Sequence, residues 1–147
     1  MRNVFYLLFL IGLSSCFLFK DYKRKNFAYT QAGQSQTVSL LVPKGFTKET
    51  VSDTAGIQLH TFQYPSGALL YAAYLTDTTF ELQTFDKQIH QPLPFWSGGQ
   101  VYKGQNNKEE FYREIRQGRL RFGYWGVGLD SETLFDSATN YAAVGRR

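Results

Sequence analysis

The chain has 147 residues, a single cysteine, and sixteen basic against twelve acidic side chains, for a formal net charge of +4. A single cysteine excludes an intramolecular disulfide. The length suits one domain that can bury a core without disulfides or a structural metal.

The N-terminus has the layout of an export signal. Arg2 precedes an apolar run over residues 4–13, and two small residues, Ser14 and Ser15, stand directly before Cys16. The run is about half of the roughly 20 residues that a bilayer-spanning helix requires. We therefore expect a removable signal and not a lasting membrane span.

The stretch Leu13-Ser14-Ser15-Cys16 resembles the lipobox of bacterial lipoproteins, in which a leucine and two small residues precede a lipidated cysteine. The resemblance covers residues 1–16 only. It implies that residues 1–15 are a lipoprotein signal peptide and that Cys16 becomes an acylated N-terminus. It implies no fold and no activity for the rest of the chain.

An uncleaved signal anchor, in which Cys16 is a buried thiol, is the alternative. Basic residues tend to stay on the cytoplasmic side of a membrane, and four of them follow the apolar run: Lys20, Lys23, Arg24 and Lys25. The shortness of the run and the position of the two serines favour the lipoprotein interpretation.

Residues 16–36 are predicted to be the lipidated cysteine and a basic, polar tether, with a short edge strand at residues 27–30 as the alternative for part of it. Each of the four basic residues contributes about 1 kcal/mol beside an anionic headgroup surface, so membrane lipid is the expected partner of both Cys16 and the tether. An exported chain rarely meets nucleic acid, and we expect no such partner. Phe17 follows the cysteine where an aspartate commonly retains lipoproteins in the inner membrane. This favours the periplasmic face of the outer membrane.

Residues 37–147 are predicted to form a single domain. Alternating residues over 37–42 predict a strand that ends at Pro43. Runs 56–63 and 67–75 form the clearest hairpin, joined by a turn with Pro65 second and Gly67 fourth. The second run is apolar on both sides, which predicts a central strand covered on both faces.

Residues 76–90 stay unassigned. A meander is predicted over 100–104, 109–116 and 119–127, with a two-residue loop at 117–118 that places Arg116 opposite Arg119. In this register, five apolar residues lie on one face of the meander: Phe111, Ile115, Leu120, Phe122 and Tyr124.

Apolar residues at helical spacing follow Gly128 and predict an amphipathic C-terminal helix: Leu134, Phe135, Ala138, Tyr141 and Ala142. The predicted fold is therefore α+β. It has a mainly antiparallel sheet of five or six strands, with the helix packed on one face.

The sequence shows no pattern for catalysis. His60 and His90 have no Cys, His or carboxylate at ligand spacing, and no serine lies in a Gly-x-Ser-x-Gly context. Asp130 and Asp136 are interpreted as helix-end and helix-surface charges. We predict no catalytic residue, no metal and no cofactor.

Aromatic and basic side chains form the candidate binding surface: Trp96, Trp125, Arg119 and Arg121. Trp96 lies in a proline- and glycine-rich loop that cannot readily bury it, and the other three fall on the meander face opposite the predicted helix. The alternative is that the aromatic residues belong to the core and that the arginines lie on a solvated hairpin.

Two functions agree with these features. The first is a membrane-anchored lipoprotein of the cell envelope that acts as a binding or accessory module, with an envelope protein as a further partner. The second is a small envelope enzyme acting on wall glycan or peptide, for which the sequence shows no motif.

Overall fold

The structure is a computed structural model that describes residues 20–31, 33–54, 56–82 and 91–146, without the side chains of Gln34 and Arg146. The predicted signal peptide, the lipidated Cys16 and His90 lie outside the described residues. So does most of the unassigned segment 76–90.

The described residues form ten strands and one helix, in the order β1 Tyr22–Gln31, β2 Gln34–Pro43, β3 Lys48–Thr54, β4 Ile57–Gln63, β5 Leu69–Leu75, β6 Leu93–Pro94, β7 Gln100–Gln105, β8 Phe111–Gln117, β9 Leu120–Val127, α1 Leu129–Asn140 and β10 Ala143–Arg146. All strand pairs are antiparallel. One sheet has the order β1-β2-β10, and the other has the order β3-β4-β5-β9-β8-β7-β6. The α+β class and the antiparallel pairing are confirmed, whereas the predicted count of five or six strands is wrong.

The prediction of a tether up to residue 36 is wrong for its described part, because residues 22–31 form β1 and pair with β2. Phe27 and Tyr29 are buried on one side of this strand. Their rings lie 4.8 and 5.8 Å from the ring of His60 in the other sheet. Two alternating aromatic residues thus fix a strand in a segment whose charge is typical of a linker.

The hairpin of β4 and β5 is confirmed. The Gly67 amide donates to the Tyr64 carbonyl at 2.9 Å, and Gly67 adopts a φ of 89° that favours glycine. The central position of β5 is also confirmed, since it pairs with β4 on one side and β9 on the other.

The register of β8 and β9 differs from the prediction by two residues along β9. The loop residues are Gly118 and Arg119, so that Arg116 lies opposite Arg121 and not Arg119. Gly118 adopts a φ of 57°, which places the glycine inside the turn. A shift of two keeps every side chain on its predicted face, and Ile115 still faces the core with Phe122.

The small sheet and α1 pack on the same face of the large sheet, which we call the inner face. The Tyr29 ring stacks 5.5 Å from the ring of Tyr74 on β5. The Phe135 ring of α1 lies 5.7 Å from the ring of Tyr124 on β9. The prediction that the helix packs on the meander is therefore confirmed, although Tyr141 follows the helix and is exposed.

The large sheet has two ends, which position every feature described below. The basal end carries the turns at residues 43–48, 64–67 and 106–110, and the apical end carries those at 54–57, 95–99 and 117–120. Strand β1 runs from basal to apical, because Lys25 contacts Glu49 near one end and Gln31 bonds the Thr76 carbonyl near the other. Helix α1 runs the same way. None of the described helical residues makes a helix long and apolar enough to cross a membrane.

Candidate ligand-binding groove

The structure places the four predicted surface residues in three locations. Trp125 and Arg121 lie on the outer face of the large sheet, opposite the inner face. Arg119 lies in the β8–β9 turn, and Trp96 lies at the apical end beside the end of α1. Only Trp125 and Arg121 share a surface.

Arg119 has a structural role. Its Nη1 atom donates to the Gln31 Oε1 atom at 3.0 Å and to the carbonyls of Leu75 and Thr76 at 3.2 and 3.0 Å. The guanidinium therefore joins the end of β1 to the end of β5. Its bonds hold the two sheets together at the apical end.

The outer face holds a buried carboxylate. Glu114 accepts a hydrogen bond from the Tyr71 hydroxyl at 2.9 Å and one from the Arg116 Nε atom at 2.6 Å. Burial and the adjacent Glu114 raise the pKa of Tyr71 well above its ordinary value, so the phenol stays protonated as a donor. Burial lowers the pKa of Arg121, and the neighbouring Arg116 lowers it further. Tyr71 and Arg116 therefore hold the Glu114 carboxylate in place, whereas the charge of Arg121 is disfavoured by burial and by Arg116.

A shallow apolar groove of about 330 Å³ adjoins this cluster. It is lined by Leu59, Thr61, Leu69, Tyr71, Leu82 and Trp125. The Trp125 ring stacks on Tyr112 with 5.0 Å between centroids and remains 37% exposed. The lining of this groove offers few polar groups to orient a ligand.

The second groove lies at Trp96 and has a volume of about 410 Å³; we call it the Trp96 groove. Its apolar wall is Leu93, Pro94, Phe95, Trp96 and Val101, and its polar floor is Lys103, Arg113, Asp136 and Asn140. Leu93 and Trp96 are 63% and 70% exposed. Such an open aromatic wall over a charged floor is typical of a recognition site.

The Trp96 side chain is exposed but fixed. Its Nε1 atom donates to the Asn140 carbonyl at the end of α1, at 2.8 Å. The preceding Phe95 is buried, with its ring 5.9 Å from that of Phe122. Gly99 closes the loop with a φ of 100°, and a Cβ atom there would lie 2.3 Å from the Arg116 carbonyl oxygen. Only glycine fits this position, and the loop holds the indole in one orientation.

The polar floor is a network around Asp136. The Oδ1 atom accepts from the Tyr124 hydroxyl at 2.6 Å and from Arg113 at 3.2 Å, and Oδ2 accepts from Lys103 at 2.6 Å. Lys103 also pairs with Glu132 at 2.7 Å. Asp136 was interpreted as a helix-surface charge, but its carboxylate joins α1 to three strands of the meander. This network positions the floor of the groove.

The pKa values of the network follow from these bonds. Burial alone would raise the pKa of Asp136, but the hydrogen bonds from Lys103 and Tyr124 lower it overall. Burial alone would lower the pKa of Lys103, but its bonds to Asp136 and Glu132 raise it overall. Burial and Asp136 raise the pKa of Tyr124. The three groups therefore keep fixed protonation states near neutral pH.

The floor presents donors to the groove. Lys103 has three N–H groups and uses two of them in the network, while Asn140 accepts from Arg113 through its amide oxygen at 2.7 Å and keeps its amide nitrogen as a donor. Asp136 has both carboxylate oxygens occupied. The arrangement is thus suited to binding a ligand rich in acceptors, and less to proton transfer.

The sequence did not indicate this polar floor. Lys103 comes from β7, Arg113 from β8, and Asp136 and Asn140 from α1. The spacing of Asp136 and Asn140, four residues apart on one helix, was the available signal. It says nothing about the two strands that these residues face.

No protein-family model matches the chain, and neither a curated protein nor a solved structure gives a significant match. Over the described residues, no three His, Cys, Asp or Glu side chains lie together as a metal site. The function is therefore inferred from the residues and their geometry.

Proposed function

We propose that the protein is a lipid-anchored binding module of the bacterial cell envelope that recognises a saccharide in the Trp96 groove. The anchor is an acylated Cys16, supported by the residues Leu13 to Cys16. Phe17 after the cysteine supports the periplasmic face of the outer membrane as its location. The residues of the Trp96 groove support a saccharide as the ligand.

The fixed, exposed indole of Trp96 is the observation that carries this proposal. A sugar ring has an apolar face of C–H groups that packs on a flat aromatic ring, and a ring held in place loses no rotamer freedom on binding. The hydrogen bond to Asn140 fixes the orientation, while 70% of Trp96 remains accessible. A tryptophan with both properties is suited to recognition.

The polar floor complements a sugar. Hydroxyl and acetamido oxygens accept hydrogen bonds, and Lys103 and Asn140 retain donors beside the indole. A typical hydrogen bond contributes about 0.5–1.5 kcal/mol, more when the donor is charged. A peptide would gain most by pairing with a strand edge. The edge strand at the Trp96 groove, β6, has two residues, and one of them, Pro94, has no backbone N–H.

Tryptophan fluorescence provides the test, because the chain has two tryptophans. The full chain in detergent is titrated with soluble wall-glycan fragments, using Trp125→Phe so that the signal comes from Trp96. We expect saturable quenching of Trp96 in this variant. Isothermal titration calorimetry, which needs no indole signal, should show a loss of affinity of about 2 kcal/mol or more on Trp96→Ala, the size expected of a central aromatic contact. Trp125→Ala is the matched control and should retain the affinity.

The proposal is overturned if Trp96→Ala binds glycan as the parent does, or if stem peptides without sugar bind with the same affinity as the glycan. Circular dichroism of each variant separates a lost contact from a lost fold. Intact mass spectrometry tests the anchor independently. A chain that begins at an acylated Cys16 supports it, and an unmodified chain that begins at Met1 contradicts it.

A further inference from the structure

Basic residues are concentrated at the basal end. They lie on β1 and its start and on the connection from β2 to β3: Lys20, Lys23, Arg24, Lys25, Lys44 and Lys48. Two acidic residues, Asp21 and Glu49, lie among them. Six basic and two acidic residues leave a local surplus of four charges, as large as the formal net charge of +4 of the whole chain.

The fold holds these side chains in place. The Lys44 amide donates to the Asp21 carbonyl at 2.8 Å, and its ammonium bonds the Lys20 carbonyl. The Lys23 ammonium lies 5.9 Å from the centre of the Phe46 ring. Lys48 is exposed at the start of β3. The β2–β3 connection thus adds two lysines to those of β1 and its start, and we call this basal cluster the basic face. Arg24 lies on the opposite side of β1, where it donates to the Ser39 Oγ atom at 3.2 Å.

Asp130, at the start of α1, lies near the basic face, because the Tyr22 hydroxyl donates to the Leu134 carbonyl of that helix at 3.1 Å, and it lowers the local surplus by one charge. Glu109 and Glu110, which precede β8, lie too far away to neutralise the basic face. Four strand spacings separate β3 from β8, or roughly 19 Å at about 4.8 Å each. The Debye length is only about 8 Å at physiological ionic strength. The basic face therefore keeps its positive potential.

We infer that the basic face docks on anionic lipid headgroups and holds the domain upright, with the Trp96 groove directed away from the bilayer. This rests on the anchor in the proposed function, since Lys20 lies four positions after Cys16, a distance of at most about 14 Å along the chain. Lys20 is then within reach of the headgroups. The Trp96 groove lies at the apical end, where the 95–99 turn meets the end of α1.

Hydrogen exchange on the acylated full chain tests the orientation. The protein is reconstituted in phosphatidylcholine vesicles with or without phosphatidylglycerol. We expect slower exchange of the amides of residues 20–25 and 44–48 in the anionic vesicles only, and a return to the neutral-vesicle rates at high salt. Amides 96–99 should exchange equally in both. Protection at 96–99 in place of 44–48, or equal rates throughout in both vesicles, overturns the inference.

A matched pair of charge reversals tests the surface. Lys48→Glu changes the basic face, whereas Asp53→Lys reverses an exposed charge near the apical end of the same strand. Each basic residue near an anionic surface contributes about fivefold in affinity. Lys48→Glu should reduce the preference for anionic over neutral vesicles at least fivefold, and Asp53→Lys should change it less than twofold. Equal effects of the two variants contradict the basic face.

The outcomes also separate the two proposals. Glycan titration in detergent does not depend on the bilayer, so lost glycan binding with retained lipid dependence overturns only the saccharide. If Cys16 carries no lipid but anionic vesicles still protect residues 44–48, the anchor fails and the basic face stands. If the protein is acylated and the Lys48 and Asp53 variants behave alike, only the basic face fails.

Discussion

One carboxylate, that of Asp136, carries much of the contact between α1 and the meander. Its loss would leave the Arg113 guanidinium, whose side chain is only 9% exposed, without its ion pair. The Nε atom of Arg113 is already buried without a hydrogen bond among the described residues. A group that neutralises a buried cation has a larger effect on stability than a surface ion pair.

We expect Asp136→Asn to lower the free energy of unfolding by about 3 kcal/mol, the size found when a buried ion pair loses one partner. Chemical denaturation at pH 7 measures it. Asp53→Asn is the matched control, because Asp53 is exposed and accepts one hydrogen bond from Gln58. Equal losses in the two variants would contradict the role of Asp136.

Low pH should remove the contribution of Asp136 to the stability of the parent protein. The pKa of Asp136 is lowered in the folded state, so its stabilisation is present above the unfolded pKa of about 3.9 and is lost as pH falls through the lower folded value. The denaturation midpoint of the parent should therefore fall more steeply below about pH 4 than that of Asp136→Asn. Parallel curves for the two proteins would show that Asp136 does not contribute.

Because Gly123 has no side chain, the backbones of β8 and β9 can approach each other closely. A Cβ atom at Gly123 would lie 1.9 Å from the Arg113 carbonyl oxygen, whereas a Cβ atom at Gly128 would meet nothing within 4 Å. Gly123→Ala should therefore cost about 3 kcal/mol or prevent folding, and Gly128→Ala, at the N-cap of α1, should cost less than about 1 kcal/mol. Thermal unfolding of the pair checks this, and similar melting temperatures would refute the close approach.

At the scale of elements, the packing of α1 depends on one face of the helix. Phe135 is buried and contacts the rings of Tyr64 and Tyr124, at 4.9 and 5.7 Å. Leu129, on the same helix, is 71% exposed. Substitutions at Phe135 and at Leu129 therefore compare the buried and the exposed side of the same helix in their effect on stability.

Phe135→Ala should lower the free energy of unfolding by about 3–5 kcal/mol, because it removes a buried aromatic ring and leaves a cavity. Leu129→Ala should change it by less than about 0.5 kcal/mol, as is usual for an exposed site. Urea denaturation of the two variants compares them. A Phe135→Ala protein as stable as the parent would show that the helix is peripheral to the core.

The elements predicted from the sequence are those with a strong local pattern. The β4–β5 hairpin has Pro65 and Gly67 at defined turn positions, and α1 has an apolar stripe. For β1 the sequence predicts only a short edge strand at residues 27–30, and that as an alternative, because the basic residues before it indicate a tether although Phe27 and Tyr29 alternate. Strand β3 is exposed along its full length, so no apolar alternation marks it.

At the scale of the whole molecule, the groove is built from elements that meet only in the folded chain. Its aromatic wall could be predicted in part, since Trp96 lies in a loop with prolines before it and glycines after it. Its polar floor could not, because the strand order that brings β7 and β8 beneath α1 is set by long-range pairing. The surface predicted around Trp96, Trp125, Arg119 and Arg121 is divided among three locations for the same reason.

The pairing of β1 with β2 has a mechanical consequence. Tyr22 at the basal end follows the segment that leads to Cys16, and all ten residues of β1 pair with β2 up to the apical end. Tension between a bilayer-held N-terminus and a rigid wall polymer at Trp96 would run along the strand axis. The inter-strand hydrogen bonds lie perpendicular to that axis, so the pull loads them together in shear. If the proposed anchor and glycan site are both correct, the first strand is thereby suited to bearing force along its axis.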